Sequence, residues 1–79
     1  MNNTELIEIV KQAIKNTCFK TIANNESLLE SGIIDSIALI DLSVALEQRF
    51  SITIPFVDVN KQHFETVEKI ADYLKIRLA

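Results

Sequence analysis

A single glycine, Gly32, and a single proline, Pro55, leave this chain of 79 residues almost without backbone breakers. In a helix interior glycine costs about 1 kcal/mol and proline about 3 kcal/mol relative to alanine, so their scarcity favours helices over a many-turned β fold. The composition, 48% hydrophobic and 24% charged, is that of a globular chain and not of a disordered one. At this length one domain is expected, residues 1–79, with a thin margin of stability.

Apolar periodicity places the helices. Asn2 or Asn3 caps the first, Glu5 lies in its opening turn, and Leu6, Val10, Ala13, Ile14 and Cys18 form one stripe. Lys11 and Lys15 complement its dipole, and the helix is expected to end near residues 17–19. Residues 20–35 form a long connection bearing apolar pegs at Phe19, Ile22, Leu28, Leu29, Ile33 and Ile34. So many pegs predict a loop packed over a core, with a short helical turn at residues 27–30.

A second helix is predicted from about Ser36 to Arg49, capped by Asp35 or Ser36. Leu39, Leu42, Leu46 and Phe50, with Ala45, mark its buried stripe and leave Asp41, Glu47 and Gln48 more exposed. Ile37, Ile40 and Val44 fall off the centre of that stripe; they suit a core edge or a docking surface, and the core edge is the expectation. Ser51 to Pro55 alternates like a strand, but five residues without a partner read better as an extended loop. One capped turn over Asn60–Phe64 and a last helix after Glu65 or Thr66 complete the chain, the latter buried through Val67, Ile70, Ala71, Leu74 and Leu78. The expected fold class is all-α: a small four-helix bundle, three main helices and one short, with a long first loop.

Residue counts narrow the chemistry. Cys18, the only cysteine, admits no internal disulfide or thiolate cluster and reads as a small buried residue. His63, the only histidine, leaves no His-paired metal site, and it reads as a surface residue of the short helix. A Ser-His-Asp triad at Ser36 lacks the glycines of a nucleophile elbow. No stretch approaches the roughly 20 apolar residues of a membrane span, and the N-terminus has no basic signal region, so a cytoplasmic protein without membrane attachment is expected. Net charge is −3, yet residues 26–58 hold six acids against Arg49 alone, while the remainder holds five acids and seven bases. Such a distribution opposes nucleic-acid binding and favours basic protein partners.

The acid surrounds the stretch Ser31-Gly32-Ile33-Ile34-Asp35-Ser36-Ile37, which sets a serine at the mouth of a helix behind a turn-forming glycine. Helix-terminal N–H groups there favour an attached anion, a setting that suits a serine carrying a phosphate ester. Asp-Ser before an amphipathic helix is also an ordinary cap. The surroundings decide: Gly-x-x-Asp-Ser-hydrophobic, then Leu46-Glu47-x-x-Phe50, then Ile54-Pro55, a minor helix, and Thr66-Val67 opening the last helix. In that order and spacing the chain resembles the acyl carrier protein family across nearly its whole length.

The resemblance implies that Ser36 carries 4′-phosphopantetheine, installed from coenzyme A by a phosphopantetheinyl transferase, with Asp35 as the adjacent motif residue. The arm's thiol would hold a biosynthetic intermediate as a thioester, and the chain itself would catalyse nothing. Ile37, Asp41 and Glu47 match partner-contacting positions, for a loading ligase or acyltransferase and for downstream acceptor enzymes. Ala38-Leu39 and Gln48-Arg49 stand where fatty-acid-synthesis carriers are more acidic, and only Gly32 precedes the site where peptidyl carriers show a glycine pair. The Ser31-Gly32-x-x-Asp35-Ser36 stretch and the Phe64-Glu65-Thr66 entry to the last helix look closer to stand-alone monomeric carriers of dedicated pathways, such as the D-alanyl carrier and discrete carriers of specialised metabolism. A fatty-acid carrier is the near alternative; a helical interaction module with Ser36 as a mere cap is the rival from another class. The cargo, and whether it folds back between the helices, stays open at this point.

Overall fold

The computed structural model describes the backbone of residues 2–18, 22–30, 32 and 35–78, and the side chains of all these except Cys18 and Ser36. The expected pegs Phe19, Ile33 and Ile34 and the burial of Cys18 lie outside the described residues. Among the described residues four helices follow one another, α1 (Asn3–Cys18), α2 (Ser36–Phe50), α3 (Lys61–Phe64) and α4 (Val67–Leu78), with one 3-10 turn at Phe56–Asp58 between α2 and α3. Among the described residues there is no strand, and the chain is the small all-α bundle its periodicity predicts.

Asn2, of the two candidate caps, opens α1. Its Oδ1 accepts from the Glu5 N–H at 2.8 Å, and Glu5 Oε1 accepts in return from the Asn2 N–H at 3.3 Å. This reciprocal pair satisfies two of the donors that a helix start leaves without intrahelical partners. Leu6, Val10 and Ile14 are then buried to 1% exposure or less, as their spacing requires.

α1 packs against both α4 and α2, and α3 packs against α4. The shared core joins Leu6, Val10 and Ile14 of α1 to Leu39, Leu42 and Leu46 of α2, to Phe64 of α3, and to Val67, Ile70 and Leu74 of α4. Ile22 and Leu28 seal it from the first connection, whose described residues are held on the bundle there as expected. Its backbone is stitched to the approach of α4: the Leu28 N–H donates to the Glu65 carbonyl at 2.7 Å, and the Glu68 N–H to the Asn24 carbonyl at 3.3 Å. Residues 28–30 form a turn, with Ser27 Oγ accepting from the Glu30 N–H at 3.2 Å.

α2 runs one residue beyond its expected end. It stops at Ser51, which takes the left-handed conformation (φ 56°, ψ 45°) usual for glycine at that position and donates its N–H back to the Glu47 carbonyl. Residues 52–55 form neither helix nor strand, and Ile54 among them is buried. Asn60 caps α3 through the His63 N–H at 3.1 Å, and Thr66 caps α4 through the Lys69 N–H at 3.1 Å. Leu78, expected in the buried stripe of α4, is 39% exposed, because the helix has by then outrun the core.

Candidate functional site

Gly32 has φ +75°, the left-handed turn that its position before the site calls for, and its α-carbon faces open space. The chain next described is Asp35, exposed and extended (φ −94°, ψ −178°), and it is the cap of α2. Its Oδ1 accepts from the Ala38 N–H at 2.8 Å, and its carbonyl accepts from the Leu39 N–H at 2.9 Å. The choice between Asp35 and Ser36 as cap is thereby settled. Ser36 is the first residue of the helix itself, where the positive end of the backbone dipoles lies.

The face of α2 that leads away from Ser36 is apolar and open. Ile37 is 73% exposed, Ile40 39% and Val44 43%, so these are not the core edge that their pattern suggested. Their spacing of three, four and seven residues puts them on one side of the helix together with exposed Asp41. Phe56 and Val57, on the 3-10 turn after Pro55, are likewise exposed, at 74% and 78%.

Between that turn and α2 runs a groove of about 230 Å³, lined by the apolar Leu29, Leu39, Ile40, Phe56 and Val59 and the polar Asn60 and Lys61. Leu39 and Ile40 follow Ser36 by three and four residues, roughly 5–6 Å along the helix axis. A larger groove of about 440 Å³ lies between α1 and the far half of α2, bounded there by Ala45 and Arg49. It begins nine residues past Ser36, about 13 Å along the axis, and is separate from the serine end.

Glu47 sits differently from its expected exposed place. It is half-buried, and its Oε2 accepts from the Ile54 N–H at 2.8 Å. Two further anchors hold the same segment from α4: Arg77 Nη2 donates to the Thr53 carbonyl at 2.6 Å, and the Tyr73 hydroxyl donates to Asp58 Oδ2 at 2.6 Å. Burial, with the Asp58 carboxylate second, pushes the Tyr73 phenol up to about 12. His63 is half-buried, its ring 4.9 Å from that of Tyr73, so it serves packing and is not the surface residue expected.

These anchors join residues 7, 15 and 24 positions apart, and no local spacing announces them. The one available signal was Tyr73 itself, a hydroxyl on an apolar stripe that requires a partner. Arg49 is exposed in the last turn of α2, its guanidinium 5.6 Å from the Phe50 ring centroid, where a cation complements the helix dipole. Lys61 bridges Glu30 at 3.0 Å and Glu65 at 3.7 Å; its hydrogen bond to Glu30 holds its ammonium above the ordinary lysine range.

Residues 4–74 match the family described as the phosphopantetheine attachment site. The chain is 39% identical over 46 residues to a D-alanyl carrier protein of Streptococcus suis, a match covering 58% of each protein and so under two thirds of that relative's length. Longer matches reach D-alanyl carrier proteins of Streptococcus sanguinis (29% identical over 68 residues, 86% of this chain and 84% of the relative) and Bacillus velezensis (27% over 70 residues, 89% and 88%).

Proposed function

Because the chain belongs to the phosphopantetheine-attachment family, whose match spans residues 4–74, we propose that Ser36 is the residue that bears the 4′-phosphopantetheine of this carrier protein. The observation that carries the reading is the place of Ser36: first residue of α2, directly after the exposed Asp35 cap and behind the Gly32 turn. A phosphodiester on that residue lies beside N–H groups that an α-helix leaves without intrahelical partners, and a helix start favours its negative charge. When bound, the arm supplies a terminal thiol to which cargo is joined.

The chain's own residues position, present and do not catalyse. Asp35 fixes the first turn through Ala38, and so fixes where Ser36 begins the helix. Ile37 and Asp41, both exposed on one side of α2, meet the transferase, the loading ligase or acyltransferase, and the acceptor enzymes. Glu47 contributes to that recognition through the segment it holds at Ile54. The protein acts in the cytoplasm as a carrier of an acyl or aminoacyl group in a dedicated pathway. Support for a dedicated pathway comes from the D-alanyl carrier relatives and from Gln48 and Arg49, which replace acidic charge at the end of α2. Among the described residues no helix is long and apolar enough to cross a membrane.

A thiol count tests the attachment. Cys18 is the only cysteine, so a Cys18→Ser chain has no thiol of its own. After incubation with coenzyme A and a broad-specificity transferase, followed by removal of small thiols, one thiol per denatured chain is expected. None is expected when Ser36→Ala is added, and a thiol persisting there would overturn the assignment of Ser36.

A further inference from the structure

Among the described residues, Lys61 is the one lysine that lines the groove at the serine end of α2, where it shares the lining with Leu39 and Ile40. Those two follow Ser36 by three and four residues, about 5–6 Å along the helix axis. Of the other described lysines, Lys11 and Lys15 lie on α1, and Lys69 and Lys75 on α4. Lys61 also has the most carboxylate around it. Its Nζ donates to Glu30 Oε1 at 3.0 Å, from the first connection, and lies 3.7 Å from Glu65 Oε2. Lys69 meets Glu65 alone, at 4.0 Å, and Lys75 pairs with no carboxylate among the described residues. Two carboxylates favour the ammonium, the form of lysine that has no lone pair for attack.

We infer that Lys61 is an internal acceptor site for the acyl group borne by the arm on Ser36, and that Glu30 and Glu65 guard the cargo against this transfer. The inference rests on Ser36 as the attachment residue. Lys61 must first give one ammonium proton to solvent. Its Nζ lone pair then forms an amide bond to the thioester carbonyl carbon, the C–S bond breaks, and a second N–H proton passes through water to the departing sulfur. The amide is the more stable product, so each transfer costs the chain its cargo and leaves a blocked lysine. The tether drives the reaction, because it keeps the acyl donor at high local concentration beside the groove. The hydrogen bond to Glu30, foremost among the causes that hold the Lys61 proton, opposes the first step. The guard acts on the amine, so it serves acyl and aminoacyl cargo alike.

The test loads acetyl-phosphopantetheine onto the wild-type chain, Glu30→Gln and Lys61→Arg, with loading confirmed by mass. The chains are held at mildly alkaline pH, the remaining thioester is cleared with hydroxylamine, and amide-linked acetyl groups are mapped by peptide mass spectra. In Glu30→Gln, Lys61 should gain acetyl ahead of Lys11, Lys15, Lys69 and Lys75. In wild type the same mark should form about two- to five-fold more slowly, the range expected for one exposed ion pair. Lys61→Arg should keep its thioester longest. Glu30→Gln carrying Ser36→Ala, mixed with acetyl-coenzyme A, should show no preference for Lys61. In unloaded protein, limiting acetic anhydride should label Lys61 faster in Glu30→Gln than in wild type, with Lys75 unchanged. Acetyl spread evenly over the lysines of loaded Glu30→Gln, or a Lys61 rate unmoved by that substitution, overturns the inference and leaves the attachment reading standing. Failure of all three chains to load overturns the attachment reading, and the acceptor site falls with it.

Discussion

The Glu47 carboxylate, one turn before the end of α2, receives the Ile54 N–H at 2.8 Å and so ties the serine-bearing helix to the segment that walls its groove. A residue that the family pattern offers as a partner contact thus has an internal duty in this chain. Glu47→Ala would leave the Ile54 amide beside a buried side chain without its acceptor, at a cost of about 1–3 kcal/mol. Asp41→Ala, on the exposed side of the same helix, should stay within about 0.5 kcal/mol of wild type. Urea unfolding of both variants checks the contrast, and equal midpoints would contradict it.

Capping of α2 belongs to Asp35, so the stability cost of losing the cap should appear there and not at Ser36. Asp35→Ala is expected to lose about 1 kcal/mol, and Asp35→Asn, which keeps an oxygen acceptor for Ala38, much less. Denaturant midpoints of the two variants beside Ser36→Ala separate a helix cap from an attachment site. A helical module using Ser36 as its cap would instead place the larger loss at Ser36→Ala.

The pair formed by Tyr73 and Asp58 can be watched directly, because Tyr73 is the only tyrosine and there is no tryptophan. Its native phenol should ionise near 12, against about 10 in the unfolded chain. The raised value means that the folded state holds this proton more tightly than the unfolded state. The associated stability is therefore full below pH 10 and is lost as pH climbs from about 10 to 12. Asp58→Asn should lower the native midpoint in an ultraviolet absorbance titration. A midpoint unmoved by that change would show that burial alone sets it.

Phe64 is fully buried, the one residue of the four-residue helix α3 that is, and it joins the common core. Phe64→Ala should cost about 3–5 kcal/mol, a large share of the 5–15 kcal/mol typical of whole domains. Near-ultraviolet circular dichroism and thermal unfolding would register the loss, and an unchanged melting temperature would refute it.

Helix order, most of the buried stripes and the packed first connection were legible in the sequence, because each is written in spacing of three and four residues. Asp35-Ser36 behind Gly32 was legible too, since a turn glycine, a cap and an amphipathic run are local signals. The long-range anchors were not. Glu47 with Ile54, Tyr73 with Asp58 and Arg77 with Thr53 depend on how α2 and α4 flank the segment between α2 and α3. The exposure of Ile37, Ile40 and Val44 is not written in the spacing either. Periodicity gives the centre of an apolar face, but the width that neighbours cover is set by packing.

The most direct measurement is a peptide mass map of the chain after coenzyme A and a broad-specificity phosphopantetheinyl transferase have acted on it. The account predicts one added phosphopantetheine per chain, on the peptide containing Ser36, and none in folded Ser36→Ala. An arm found on another residue, or a folded wild-type chain left unmodified by a transferase proven active, would contradict it.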